Sequence, residues 1–534
     1  MAVFDAAAKR MSSLRQRPLH PIFFLTYPVL ALLAANAEQV HLSVVWRPLV
    51  VSLLIGSVLW FLLSLLLDAS RAALLVSFAA LLFFSYGHVY DWTGGLSLAG
   101  DVLGRHRYLL PLWLGLLGLG SWAILRTKDA RSWNGALNLI GVVLIAMPLV
   151  QLVAFGMRSQ QAIAAHDQAL VDPATEQEIS LSAPDPSPDI YYIILDAYGR
   201  SDSLRHTLDI DNRGFLEDLK SHGFYVASCS QSNYAQTELS FASALNMAYL
   251  DQLGGDFKPD RDDRTPLVPL IKDSLVRRLL EAQGYRVVAF ETGFTFSELR
   301  DADEFIAPRV SGLKGGLSGF EGLLLRSSGA LVLLDASRVL PRFLVPDVNH
   351  RVVEHRQRTL LTLDTMDSIA SEPAPKFVFA HVVSPHTPFV FGPDETAVVD
   401  PFFVGPDEAA DQRMAWYRQG YADQIAYLHS RMIPIVEGLL ADSQTEPVIV
   451  IQGDHGPEEG GSGDRMEILN AYHLPGDAEA ALYPEITPIN SFRVIFDQVF
   501  GAELPIQADK SYFSVYNRPY DFSIVANEGC NTGD

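Results

Sequence analysis

The chain has 534 residues, with 40 Lys+Arg against 62 Asp+Glu and a formal net charge of −22 at pH 7. That length leaves room for more than one domain, and the acidic excess argues against nucleic-acid binding, which needs basic surface over phosphates. Two cysteines, Cys229 and Cys530, are too few for a zinc site built from thiolates, and their spacing leaves open whether they pair.

The charge is divided unevenly. Residues 1–157 carry 11 basic and 6 acidic side chains, which leaves 29 basic and 56 acidic for the rest. Long apolar runs fill only the first part. A bilayer core takes roughly 20 apolar residues to cross. Five stretches qualify: Pro21–Ala37, Leu49–Leu67, Ala72–Tyr90, Tyr108–Leu125 and Gly135–Met157. Trp46, Trp92 and Trp133 stand at their ends, where an amphipathic ring favours the interface. A cleaved signal peptide fits poorly, because Ala34-Ala35-Asn36-Ala37 is a weak cleavage site and more spans follow. The spans lack interior Asp, Glu, Lys or Arg, which disfavours a transporter.

Orientation follows from the basic residues. With a cytoplasmic N-terminus, that side holds Lys9, Arg10, Arg15, Arg17, Arg71, Arg126, Lys128 and Arg131, against Arg47, Arg105 and Arg107 opposite. Five spans then place everything after Met157 outside the cytoplasm. The expected location is a bacterial-type inner membrane, with a periplasmic or extracellular soluble domain. Residues 158–188 are polar and end Ala183-Pro184-Asp185-Pro186-Ser187-Pro188, the composition of a semi-extended linker. Residues 189–534 form the expected catalytic domain.

Within it, Ile190–Leu195 is an unbroken apolar run, the pattern of a buried strand. A helical pattern at Gly214–Ser221 stops at Gly223, and another at Ser274–Gln283 stops at Gly284. Strand-like runs follow at Arg286–Phe290, Phe377–Val383 and Val448–Ile451. Alternating strands and helices predict an α/β domain with a largely parallel, buried sheet. Its ligand site should lie beyond the C-terminal strand ends.

The polar residues of interest fall there. Asp196 follows the first run directly; Asp454 and His455 follow Val448–Ile451 in Gly453-Asp454-His455-Gly456; His386 follows the 377–383 run. Between the first two, Asn233-Tyr234-Ala235-Gln236-Thr237 reads as a turn entering a helix. Taken singly, each has a plain structural use: a turn Asp, an N-cap Thr, a loop His. Together, two carboxylates, an imidazole and a threonine oxygen make a four-ligand set for Zn²⁺ or Mn²⁺. A hydroxyl on such a metal becomes a usable nucleophile. Arg200 and Asn233 lie close in sequence to these residues and are candidates for phosphate contact, with a surface Arg and a capping Asn as the plain alternative. Asn470–Pro475 reads as a loop and Tyr483–Arg493 as the entry to a helix.

The run Pro188–Asp196 with the later Gly453–Gly456 resembles the sulfatase-like branch of the alkaline phosphatase superfamily. Five spans before an external domain are similar to the layout of lipoteichoic acid synthases and phosphoethanolamine transferases. The resemblance implies that Asp196, Asp454 and His455 hold one divalent metal, with Thr237 as nucleophile and fourth ligand. It implies that His386 contacts substrate and protonates the leaving group. A second metal is left open, since His381, His386 and His473 are available but no spacing selects them. No Cys/Ser-x-Pro-x-Arg motif lies near Thr237, and Cys229 is followed by Ser230-Gln231-Ser232, which disfavours formylglycine-dependent sulfatase chemistry. The expected activity is phosphoryl transfer or phosphodiester cleavage on a membrane lipid or envelope glycan. Simple hydrolysis at the same site and a non-catalytic envelope-assembly protein are the alternatives.

Overall fold

The computed structural model describes residues 17–94, 96–98, 101–102, 104–166, 169–308, 317–335, 350–373, 375–398, 410–527 and 530. Lys9, Arg10 and Arg15 of the orientation argument lie outside the described residues. The chain divides into two compact units, one of residues 1–157 and 311–351, the other of 158–310 and 352–534.

The first unit is helical: His20–Ala35, Trp46–Ser64, Ala69–Gly94, His106–Arg126 and Arg131–Ala165, the last running on into the second unit. Among the described residues four helices are long and apolar enough to cross a membrane, where the sequence led us to expect five. Their apolar side chains, among them Leu54, Phe61, Leu119 and Val150, point outward and are exposed, as lipid-facing residues are. His20–Ala35 has 16 residues, about 24 Å at the helical rise, against a hydrocarbon core of roughly 30 Å. Pro21 opens it, and Asn36, whose side chain donates to the Leu32 carbonyl (2.8 Å), closes it.

Residues 311–351 interrupt the soluble sequence yet belong to this helical unit. Helix Gly319–Arg326 starts at Ser318, whose hydroxyl and Glu321 form a capping box. Phe320 and Leu324 pack with Val29, Leu33 and Val45. Glu321 pairs with Arg47, and the following helix Leu331–Asp335 ends with Asp335 2.7 Å from His106 Nε2. A Cβ at Gly87 would fall 2.2 Å from the Arg326 carbonyl, so glycine is what permits this close approach.

The second unit is built on seven strands: β1 Ile190–Leu195, β2 Tyr225–Val226, β3 Arg286–Phe290, β4 Glu304–Ile306, β5 Lys376–Val382, β6 Val448–Gln452 and β7 Asn470–His473. Their order is β2-β7-β6-β1-β5-β3-β4, parallel except at β7, which runs antiparallel to both β6 and β2. The predicted parallel sheet is present. Asn470–His473, read from sequence as loop, is instead a buried strand, because β6 supplies its partner: Gln452 pairs with Asn470 and Ile449 with His473.

Every side chain of β1 is buried, with apolar clusters on both faces of the sheet. At its start Asp189 forms a fully buried ion pair with Lys376 (2.6 Å). The polar 158–188 stretch begins in the last turns of helix Arg131–Ala165, and its later part lies against this unit. Asp172 pairs with Arg493 at 2.5 Å, both fully buried, while Ile179 and Leu181 enter the core. Cys229 and Cys530 form a disulfide across 301 residues of chain, with Cα atoms 5.5 Å apart.

Candidate metal and phosphoryl-transfer site

Strand register builds the site. β1 pairs in parallel with β6, Ile194 opposite Gln452, and with β5, Leu195 opposite Val382. The residues leaving these three strands therefore emerge together: Asp196 after β1, Asp454 and His455 after β6, and the segment to His386 after β5. The Asp196 amide donates to Val382 O (3.0 Å), and the Ala197 amide donates to Asp454 Oδ1 (3.0 Å). The glycines around Asp454-His455 are needed for this packing. A Cβ on Gly453 would meet the Tyr198 carbonyl at 2.4 Å, and one on Gly456 the Asp464 carbonyl at 2.0 Å.

Asp196, Asp454 and His455 are all buried, and one ligand atom from each lies within 4.8 Å of the others. His455 donates through Nδ1 to its neighbour's carbonyl, Gly456 O (2.9 Å), so Nε2 carries the lone pair. Burial, then the nearby Arg465 charge, holds the His455 pKa below its ordinary value, which keeps the ring neutral. Nε2 lies 3.6 Å from Asp196 Oδ1, 3.4 Å from Asp454 Oδ2 and 3.3 Å from Thr237 Oγ1. Tetrahedral ligands about 2.0–2.1 Å from a zinc ion stand about 3.3 Å apart, so the spacing suits a cation of that size. Thr237 is the first residue of helix Thr237–Ala244, as the sequence predicts, and so stands at the positive end of the helix dipole.

The chemistry of the donor set also fits. Asp196 Oδ1 and Asp454 Oδ2 are buried and have no hydrogen-bond partner. Two such carboxylate oxygens side by side cost several kcal/mol unless a cation lies between them. Asp196, Asp454, His455 and Thr237 are the residues that would hold it. Among the described residues no second group of this kind is present.

His381 lies behind Asp196, with Nε2 3.1 Å from Oδ2 and Nδ1 3.2 Å from the Ser297 hydroxyl. It orients the carboxylate. His381→Gln should weaken zinc affinity by about 10- to 100-fold without unfolding the protein, as read by chelator competition and melting temperature. His473 is elsewhere: its register with Ile449 puts it at the opposite end of β6, with Nδ1 on Pro447 O (3.0 Å).

His386 stands across the site, its ring centroid 6.2 Å from that of His455. Nδ1 donates to Thr387 O (2.6 Å) and Nε2 to Glu458 Oε1 (2.8 Å). Burial opposes its charge, but Asp196 and Glu458 outweigh burial and push its pKa up to about 10. At neutral pH it is an imidazolium with a proton to give. Burial opposes the charge of Glu458, but the hydrogen bond and charge of His386, together with Arg465 and His455, outweigh it and draw its pKa down to about 2.

The other two candidates are not brought into this group. Arg200 is buried and spent on Asp202 (2.7 Å), Glu467 (2.9 Å) and the carbonyl of Ser230 (3.1 Å). Asn233 donates to Thr487 Oγ1 (2.9 Å) and Lys510 O (3.0 Å) and accepts from the Ile489 amide (2.8 Å), lacing the C-terminal segments together. Two residues the sequence reading missed follow His455: Glu458 in the loop and Arg465 on the short helix Ser462–Met466. Only the fold turns them back towards His455.

No protein-family profile matches the chain, and no curated protein matches it. Solved structures do. The zinc complex of the C-terminal periplasmic domain of EptC from Escherichia coli is 10% identical, covers 65% of this chain and 94% of its own, and has a TM-score of 0.40. The integral membrane lipooligosaccharide phosphoethanolamine transferase A from Neisseria meningitidis is 12% identical, with 91% and 95% covered and a TM-score of 0.36. A 2-O GAG sulfatase is 11% identical, with 60% and 72% covered and a TM-score of 0.36. The Pro188–Asp196 and Gly453–Gly456 motifs, which carry the resemblance to the sulfatase-like branch of the alkaline phosphatase superfamily, supply Asp196, Asp454 and His455 of this site.

Proposed function

We propose that the protein is a metal-dependent phosphotransferase or phosphodiesterase acting on a lipid or glycan at the outer face of a membrane. The observation that carries this reading is the gathering of two buried carboxylate oxygens that lack hydrogen-bond partners around His455 Nε2, with the Thr237 hydroxyl 3.3 Å from that nitrogen. A divalent cation, Zn²⁺ or Mn²⁺, would lower the pKa of that hydroxyl and offset charge on a phosphoryl oxygen. Thr237 Oγ1, its proton already released to solvent, attacks phosphorus in line as the alkoxide; the Oγ1–P bond forms as the bond from phosphorus to the leaving oxygen breaks. His386 gives its Nε2 proton to that oxygen. A phospho-threonine results. In the second half His386, now neutral, takes the proton of the acceptor hydroxyl as its oxygen displaces Thr237. Thr237 lacks the thiol or primary hydroxyl from which formylglycine is made, which favours phosphoryl over sulfuryl chemistry.

Glu458 favours the charged form of His386 with which the cycle begins. Glu458→Gln should move the alkaline limb of the kcat/KM profile to lower pH, since the imidazolium loses a supporting charge. An unmoved limb would remove His386 from the role of proton donor.

The orientation is supported by two features. Residues 317–335 pack at Val29–Arg47 and Phe83–His106, the ends that five spans would place on the outer face. The Cys229–Cys530 disulfide suits an oxidising compartment. This reading takes His20–Ala35 as a short fifth span. The reading is tested by supplying phospholipid vesicles to the full-length protein and following phosphorus-containing products, with chelator added and then zinc or manganese restored. Loss and recovery of product support it; turnover untouched by thorough chelation would overturn it. Products formed with and without a glycan separate transfer from hydrolysis.

A further inference from the structure

Arg465 is the one element at the site without an assigned task. It lies on the short helix Ser462–Met466, in the chain that returns from Asp454-His455. Its guanidinium is fixed by three hydrogen bonds: Nε to Ala235 O (2.9 Å), Nη1 to Gly456 O (3.3 Å) and Nη2 to His455 Nε2 (3.0 Å). The first carbonyl is two residues before Thr237 and the second directly follows His455. The fork thus spans the loops that present the nucleophile and the ligand.

What distinguishes it is charge balance. Arg200, Arg264, Arg277 and Arg493 are each paired with a carboxylate. Among the described residues no carboxylate lies within ion-pair distance of Arg465. Its charge is felt by the hydrogen-bonded His455 and, beyond ion-pair distance, by Glu458. A half-buried cation held by backbone carbonyls, beside a nucleophile and lacking an anion, is a seat for one. The Nη2 bond to His455 is also provisional. It uses the same Nε2 lone pair that a cation would take, and once that pair is engaged the Nη2–H needs another acceptor near Thr237 Oγ1, 3.3 Å from Nε2.

We propose that Arg465 binds the substrate's phosphoryl group, donating Nη2–H to a non-bridging oxygen while Thr237 attacks. The inference rests on the phosphoryl-transfer reading of the site. It assigns to Arg465 the contact that sequence proximity suggested for Arg200, which the fold has committed to Asp202 and Glu467.

The test uses the zinc-loaded full-length protein in detergent, with inorganic phosphate and orthovanadate as probes, measured by calorimetry, and zinc content determined alongside. Arg465→Met should lose oxyanion affinity on the order of tenfold or more, while zinc is held as well as in wild type or better, because a positive charge has left the ligand's side. Arg465→Lys should recover part of the affinity. A residue with only a structural role would lose zinc and phosphate together. On the unmutated protein, phosphate should protect Arg465 from phenylglyoxal, as mapped by peptide mass, so the proposal stays testable if a variant folds poorly. Wild-type oxyanion affinity in Arg465→Met, or no protection of Arg465, overturns the assignment alone. Zinc-loaded wild type that binds neither probe overturns the phosphoryl-transfer reading with it.

Discussion

Thr237→Ala is expected to lower turnover by about 10³-fold or more, the usual consequence of removing a covalent nucleophile. The reason is position. Thr237 opens its helix with Oγ1 3.3 Å from Nε2 of His455, a member of the buried Asp196, Asp454 and His455 group. Ser232 is near in sequence, but its hydroxyl is committed to the carbonyls of Tyr234 (2.8 Å) and Asp454 (2.5 Å). The variant should still bind zinc, more weakly, through Asp196, Asp454 and His455. Thr237→Ser keeps the hydroxyl and should keep most of the rate. Turnover assays with zinc content measured on the same samples check this. Full activity in Thr237→Ala would remove the nucleophile assignment.

Asp454→Asn has the second large effect, and its sign depends on the cation. Without metal, Asp454 Oδ2 and Asp196 Oδ1 are buried, unpartnered and adjacent. Asparagine keeps the Oδ1 acceptor for the Ala197 amide and removes one of the two charges. In chelator the variant should therefore melt higher than wild type, by a few degrees for about 1–2 kcal/mol. In zinc the order reverses, because wild type gains the binding free energy of the ion and the variant gains little. Turnover in the variant should fall below detection. Thermal scans in the two conditions measure both signs. A variant less stable than wild type in chelator as well as in zinc would mean that the carboxylate is a structural element and not a ligand awaiting its ion.

The parts of the site that were legible in sequence are those anchored to regular structure. Asp196 and Asp454 follow apolar runs that form buried strands, so strand register delivers them to one edge, and Thr237 opens a helix. His386 was legible for the same reason. Arg200 and Asn233 were chosen by nearness along the chain, which says little about nearness in space. Their side chains are drawn away by Asp202 and Glu467, and by Thr487 and Lys510, all supplied by tertiary folding. Glu458 and Arg465 escaped because a loop of Gly, Ser and acidic residues, and a helix of only five residues after it, carry no periodicity to say which way the chain turns.

The same contrast holds for the fold. The strand Asn470–His473 reads as loop because it is short and begins with Asn, and its strand character comes from pairing with β6. Helix Gly319–Arg326 has an ordinary amphipathic pattern, and nothing in it announces that Phe320 and Leu324 pack with Val29 and Leu33. The first apolar run was long enough by composition, but Pro21 and Asn36 bound the helix at 16 residues.

The central claim is a covalent phosphoryl-enzyme on Thr237. It is tested most directly by rapid acid quench of the zinc-loaded full-length protein during turnover of phospholipid, followed by intact mass and peptide mapping. The account predicts a phosphorus-containing adduct on Thr237 in wild type, absent in Thr237→Ala, whose mass names the group transferred. An adduct on another residue, or turnover sustained by Thr237→Ala, would contradict it.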